Sequence, residues 1–396
     1  MTTSSDIETQ LIESRLTTMK HDLRLNVLTQ RIEDHGIPLE DYTEAAIHNE
    51  MRSVGVRNMA HVDDVIKETA GRNRYNPVYE YMKHWEDVPW DGTDWIHMIS
   101  LYVEEDLQAG EHGVFGLYLR KWMIGAAARV LQQDGSRNPM IVLDGPQDIG
   151  KSKFVEWLCP TALYPKYYRD AQIDPDDKDH KIGLARVFIW EAAELDKTAN
   201  AKDASKIKSF ITEYHVTERE AWRKHPMEMP TITNFIGTVN NVCGFLNDAS
   251  GSSRFRICRL KSIDYKGYTS ARKDLIDLAW CQAVHLYLQG ETRELSAEEQ
   301  KYAAAINAKY SIINNTKFAI EAYFDIDPDM GLFTSSNSIR EILQHRGLGG
   351  ADLDAKRIAA ALTELGCKQT VKKINGQAQR GYVGISKKLE SELQQF

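Results

Sequence analysis

The densest chemistry in this 396-residue chain is the run Gly145-Pro146-Gln147-Asp148-Ile149-Gly150-Lys151-Ser152. It fits GxxxxGK[ST], the phosphate-loop pattern. Each part has a physical task. The glycines let the backbone turn through φ values that other residues resist, so that successive N–H groups face one anion. A helix leaving the loop adds its positive end. The Lys151 ammonium can reach β- and γ-phosphates, and the Ser152 hydroxyl can bind Mg²⁺. The eight residues therefore form a candidate binding set for ATP with Mg²⁺. The flanks suit it: an apolar run, Met140–Leu143, enters the loop, and Ser152–Leu158 reads as a helix leaving it.

A phosphate loop needs a carboxylate on a neighbouring strand for Mg²⁺ and water. The apolar run Arg186–Trp190 ends in Glu191, with Glu194 three residues on. A helix starting there would put both on one face. One would orient Mg²⁺-bound water and the other act as base or positioner, with Glu191 nearer the metal. An acidic helix N-terminus is the plainer alternative. The next strand, Ile232–Val239, delivers Asn240, an amide able to position the attacking water, although Asn-Asn after a strand can be only a turn. Arg254 follows a Gly/Ser loop and opens another strand. It is placed to serve as an arginine finger toward a neighbouring subunit, or else as a surface ion pair. The candidate catalytic residues are thus Lys151, Glu191, Glu194, Asn240 and Arg254.

The elements that must hold these residues set the fold class. Short β-rich runs alternate with helices over residues 138–262, predicting an α/β core with a mostly parallel sheet. Five regions are expected: a helical N-terminal region (1–75, with helix spacing over Met19–Arg31 and Asp41–Val54), a Trp- and Tyr-rich helical block (76–135), the phosphate-loop core (136–264), a helical extension (265–316) and a winged-helix-like α+β unit (317–396). In the last unit helices are expected near 317–324, 336–346 and 354–365, after a polar break at Asn314–Thr316. A ribbon over 368–373 and 381–385 turns around Asn375-Gly376.

Composition narrows the function. At 42% hydrophobic and 27% charged the chain is globular, not fibrous or wholly disordered. No apolar run approaches the roughly 18 residues of a spanning helix, and the longest, Met123–Leu131, contains Arg129. No membrane partner is expected. The start, MTTSSDIETQ, lacks a secretion signal. Five scattered cysteines form no CxxC pair, which fits a reducing, cytoplasmic compartment. A net charge of −8 requires any nucleic-acid contact to be local, on a loop or inside a channel.

In order and spacing these motifs resemble the virulence-associated E (VirE/VapE-like) family of phages and mobile elements, among the superfamily 3 helicases of the AAA+ class. The matching stretches are Asn73–Tyr81, Trp90-Asp91-Gly92, the phosphate loop, Phe188–Leu195, Phe235–Asn240 and Asp248–Phe255, over about residues 65–300. Two departures stand out. The family often has an arginine pair before the last Phe, and here the first is Ser253. The usual second glycine of the loop region is Asp148, which brings a negative charge near the phosphates.

The resemblance implies a ring, commonly a hexamer, with ATP between subunits and 3′-to-5′ translocation on single-stranded DNA. It also implies a hairpin just before the Asn240 strand, carrying a Lys-His pair at its tip. Thr217–Trp222 and Pro226–Pro230 would flank Arg223-Lys224-His225, and Trp222 would stack on a base. Trp222, Arg223, Lys224 and His225 are the DNA-binding candidates, a solvated basic turn being the alternative. The winged unit, with Lys372, Lys373 and Arg380, offers a second contact, to duplex origin DNA. Three functions compete: a DNA helicase or replication initiator, an ATPase switch or remodeller acting without unwinding, and a DNA-binding regulator using nucleotide for assembly only. A small-molecule kinase would not need Arg254, the Asn240 strand and a basic hairpin together. No primase-type carboxylate and histidine constellation precedes the core, so no priming is expected.

Overall fold

A computed structural model describes residues 4–132, 137–193, 195, 201–218, 226–240, 254–309, 312–328, 331–345, 353–374 and 376–388. The N-terminal region runs α1 (Ser4–Thr18), β1 (Leu23–Asn26), β2 (Arg31–Asp34), β3 (Ile37–Pro38), α2 (Asp41–Ser53), α3 (Met59–Arg72) and β4 (Arg74–Tyr75). Next come α4 (Pro77–Asp87), α5 (Trp95–Ser100), β5 (Val103–Glu105) and α6 (Phe115–Gln132). The middle holds β6 (Met140–Asp144), α7 (Lys151–Trp157), β7 (Tyr168–Asp170), α8 (Lys178–Gly183), β8 (Ile189–Ala192), α9 (Ala201–Phe210), β9 (His215–Glu218), β10 (Met227–Pro230), β11 (Asn234–Val239) and β12 (Phe255–Ile263). Helices α10 (Tyr265–Thr269), α11 (Leu275–Leu288) and α12 (Ala297–Lys309) follow. The chain then forms α13 (Ile312–Tyr323), β13 (Phe324–Ile326), β14 (Phe333–Ser335), α14 (Ser336–His345), α15 (Ala355–Glu364), β15 (Lys368–Ile374), β16 (Gln377–Val383) and β17 (Ile385–Lys387).

The protein is a mixed α/β fold built on a six-stranded sheet in the order β5-β12-β6-β11-β8-β7. All neighbours pair in parallel except the edge strand β5. Every residue of β6, β8 and β11 is buried, which is why these strands read as apolar runs rather than as alternating ones. On one face α6 and α11 pack Trp122 and Trp280 together, ring centroids 6.1 Å apart. Their indole N–H groups donate to the Phe235 and Leu158 carbonyls, each at 3.1 Å. Arg129, the charge inside the apolar helix α6, is buried and donates to the carbonyls of Thr231 (3.0 Å), Thr233 (2.5 Å) and Glu213 (3.2 Å). A buried cation needs such partners. Among the described residues no helix is long and apolar enough to cross a membrane. Cys159, Cys258, Cys281 and Cys367 are free and buried, and Cys243 lies outside the described residues.

Three local expectations are corrected. Residues 19–31 are not helical: they give β1 and the turn into β2, within the antiparallel and parallel pairs β1–β2 and β1–β4. The Asn26 side chain accepts from the Leu28 and Thr29 N–H groups (3.0 and 3.2 Å), and Gln30 has φ 57, so a helix cannot pass. No helix starts at Glu191: β8 runs through Ala192, which pairs with Gly237 of β11. The polar stretch Asn314–Thr316 is not a break, because α13 runs through it with Thr316 buried. In the C-terminal unit α14 and α15 fall where expected, and β14, β16 and β15 form an antiparallel sheet, with the ribbon's second strand starting earlier, at Gln377.

Candidate active site

Strand β6 ends at Asp144, and the chain folds back through 145–150 into α7. Gly145 lies tight against β12, where a Cβ would stand 2.7 Å from the Leu260 carbonyl oxygen. Gly150 caps α7 with φ 90, and Asp148 adopts φ 64, the left-handed region that explains why glycine is usual at its place. The backbone therefore turns through the left-handed region at residues 148 and 150, between β6 and α7.

Strand order brings the remaining groups to this loop. β11 lies between β6 and β8, with Val239 opposite Asp144 and Ile236 opposite Glu191. Asn240, just past β11, therefore stands beside the loop. Lys151 Nζ donates to Asn240 Oδ1 (3.0 Å) and to the Gly145 and Pro146 carbonyls (2.8 and 2.7 Å). Ser152 Oγ donates to Glu191 Oε1 at 2.5 Å. Thr238 Oγ1 donates to the same oxygen at 3.2 Å, and the Tyr168 hydroxyl donates to Glu191 Oε2 at 2.8 Å. Glu191 is fully buried. Burial pushes its carboxyl above the usual range, opposed by the hydrogen bonds from Ser152, Tyr168 and Thr238. Burial beside this carboxylate also pushes the Tyr168 phenol far up, so it stays protonated and able to donate.

Lys151, Ser152, Glu191 and Asn240 are therefore one constellation. Its oxygens suit Mg²⁺, a hard cation that takes one or two carboxylates and completes its shell with water and phosphate. Tyr168 and Thr238 are additions that sequence reasoning missed. Thr238 had a signal, as a hydroxyl near the end of a wholly buried strand, two residues before Asn240. Tyr168 had none, since β7 is only three residues long.

The other candidates lie apart. Arg254 immediately precedes β12 at the sheet's far end, where the next residue, Phe255, pairs with Met140. At about 3.3 Å per residue, roughly 13 Å of strand separates that level from Asp144, so Arg254 does not face its own chain's loop. Glu194 lies outside the described residues, as do Trp222, Arg223, Lys224 and His225. The arms of their hairpin are described: β9 and β10 pair antiparallel, with Glu218 opposite Met227.

A family model described as the virulence-associated protein E-like domain matches residues 85–312, more than half of the chain. The chain belongs to the virulence-associated protein E-like family. Within this VapE-like chain the match spans α6, the whole constellation around Glu191 and the start of β12. Among solved structures, the apo NrS-1 C-terminal region is similar at 13% identity, covering 94% of this chain and 98% of that one with a TM-score of 0.42. A second structure of that region, residues 305–718, gives 12% identity, 95% and 99% coverage and a TM-score of 0.43. The JCV helicase is similar at 12% identity over 70% of this chain and 83% of that one, with a TM-score of 0.31. No curated protein sequence matches significantly.

Proposed function

We propose that this VapE-like protein is an ATP- and Mg²⁺-dependent DNA helicase or replication initiator of a phage or mobile element. In this reading it is an AAA+ P-loop ATPase that assembles into a ring, commonly a hexamer, and moves on single-stranded DNA in the cytoplasm of a bacterial host. The convergence of Lys151 and Ser152 at the start of α7 with Glu191 of β8 and Asn240 just past β11 carries the reading. Lys151, released from its carbonyl partners, neutralises β- and γ-phosphate oxygens. Ser152 and Glu191 would hold Mg²⁺, which would supply charge neutralisation at the phosphates. Asn240 positions the attacking water, and Glu194 is the second carboxylate in reserve as base. Arg254 acts on the site of the adjoining subunit. The N-terminal region serves as a collar, and the C-terminal α+β unit is read as a winged helix beside the DNA path.

DNA-dependent turnover tests the whole. ATP hydrolysis should rise on adding single-stranded DNA, and an ATPase indifferent to DNA would sink the helicase reading in favour of a switch or remodeller. Lys224→Ala should weaken single-stranded DNA binding for all sequences alike. It should also flatten the plot of log affinity against log salt by about 0.7 for each phosphate that the protein no longer neutralises. Basal hydrolysis without DNA should persist while its stimulation falls. Trp222→Ala should weaken binding with less change in salt slope, because stacking releases no counterions. An unchanged affinity and slope in Lys224→Ala would move the DNA contact elsewhere, first to Lys372, Lys373 and Arg380.

Asp148 gives an independent test of the loop. Its carboxylate is exposed beside the proposed phosphate position, and its backbone is left-handed. Asp148→Asn removes only the charge and should tighten ATP binding roughly three- to tenfold at low salt. Asp148→Gly removes both charge and backbone cost and should tighten it at least as much. Titration of a fluorescent ATP analogue reads both. Weaker binding in either variant would contradict a phosphate beside residue 148.

A further inference from the structure

At the end of the sheet away from the phosphate loop, a cleft of about 380 Å³ opens between the start of β12 and α12. Asn307 of α12 ties the two together by donating to the Phe255 carbonyl at 2.9 Å. The cleft is lined by Phe255 and alanines, and by four polar side chains besides Asn307: Arg137, Arg256, Glu294 and Gln300. This mixture of apolar wall and a few convergent polar groups is typical of small-ligand sites.

Arg256 is the unusual member. It is 3% exposed. Its Nη2 donates to the Arg293 carbonyl oxygen at 2.6 Å, while its Nη1 is buried with no hydrogen-bond partner. Buried guanidinium groups are normally paired and fully bonded, because their charge cannot be shed near neutral pH. Here burial pushes the group down to about 10, the Arg137 charge adds to that, and Glu294 opposes it. Arg137 and Arg256 outnumber the one carboxylate lining the cleft, Glu294, which itself stands 3.7 Å from Arg293 Nε, so the cleft carries an excess positive charge. The cleft's volume exceeds that of one water many times over.

We infer that this cleft binds an oxyanion of the phosphate class, free or as the phosphoryl end of a nucleotide, with Arg256 as its buried anchor and Arg137 as the second arm. Two planar donor forks match a phosphate's several oxygens and double charge better than they match a single carboxylate. Gln300 offers a further donor, and Glu294 limits how tightly any anion is held. The site is separate from the Lys151 loop and depends on neither ATP hydrolysis nor DNA.

The test uses the full chain carrying Lys151→Ala, to weaken phosphate binding at the loop. Calorimetric titration with inorganic phosphate should show saturable binding. Adding Arg137→Gln should weaken it about tenfold or more, by loss of a charged hydrogen-bond donor. Adding Glu294→Gln should instead tighten it several-fold. Arg137 and Glu294 line the cleft without being the buried anchor, so both variants are read with the fold checked by circular dichroism. ADP is scored by its displacement of phosphate from the Arg137-dependent site. Displacement assigns the site to a nucleotide's phosphoryl end, and no displacement assigns it to free phosphate. In crystals, selenate should give an anomalous peak beside Arg256 that Arg137→Gln removes. No saturable phosphate binding, or binding that neither Arg137→Gln nor Glu294→Gln alters, would overturn the inference.

Discussion

Glu191→Gln should give a protein that folds, binds ATP and barely turns it over. The carboxylate is buried and its ionisation is opposed by desolvation, so the neutral amide removes a cost from the folded state. A Gln carbonyl oxygen can still accept from Ser152 and Thr238, which now bond to Oε1. The melting temperature without ligand should therefore equal or exceed that of the wild type. The pH dependence has a definite sign. The folded carboxyl lies above its ordinary value of 4.5. Its contribution to stability is thus complete below that value and is lost as pH rises through the folded one. The variant's advantage in melting temperature should grow over that window and then level off. Steady-state hydrolysis should fall about 10²–10⁴-fold, the range for loss of a group that handles a proton or its water. Nucleotide binding should change far less. A merely structural Glu191 would show the reverse, with lost stability and near-normal turnover of what remains folded. If only Glu194→Gln stalls turnover, the two carboxylates exchange roles.

How far this site could be read from residues alone depends on whether the signal was local. The loop was legible because Gly145, Gly150, Lys151 and Ser152 state their own backbone and charge requirements. Glu191 and Asn240 were legible as polar residues at the ends of buried runs. The i, i+3 spacing of Glu191 and Glu194 misled, because pairing of Glu191 with Asp170 and of Ala192 with Gly237 holds the chain extended. Tyr168 could not be read, since only its place beside β8 gives it a role. The N-terminal strands were hidden for the same reason: Leu25 and Asn26 pair with Arg74 and Tyr75, nearly 50 residues away. Helices α14 and α15 were read well because each segregates its apolar face, with Ile339 and Leu343, and Ile358 and Leu362, buried. Helix α13 was cut short because Asn314 and Asn315 imitate a loop while buried Thr316 carries the helix on.

Arg254→Ala should abolish most ATP turnover and yet be rescued by another inactive variant. The residue sits at the Met140 end of β12, whereas the loop lies beyond Asp144 at the other end of the neighbouring strand. On the proposed reading a finger so placed would serve the nucleotide of an adjoining subunit, and such groups contribute roughly 10³–10⁵ in rate in other NTPases. Lys151→Ala should be equally inactive, for loss of the phosphate-binding ammonium. In a ring mixed from the two, an Arg254→Ala subunit still carries Lys151, and a Lys151→Ala neighbour still carries Arg254. With random equal mixing, about one interface in four pairs both intact groups, so activity should recover to at most about a quarter of wild type if interfaces act independently. Ser253 sharpens the expectation, because no preceding arginine stands ready to substitute for Arg254. A finger acting within its own chain predicts no recovery at any ratio, since every subunit then lacks one of its two groups. Subunit exchange is followed by energy transfer between labelled protomers, so failure to mix is distinguished from failure to complement. Recovery that rises and falls with the mixing ratio, with its peak near equality, would assign Arg254 to the shared site.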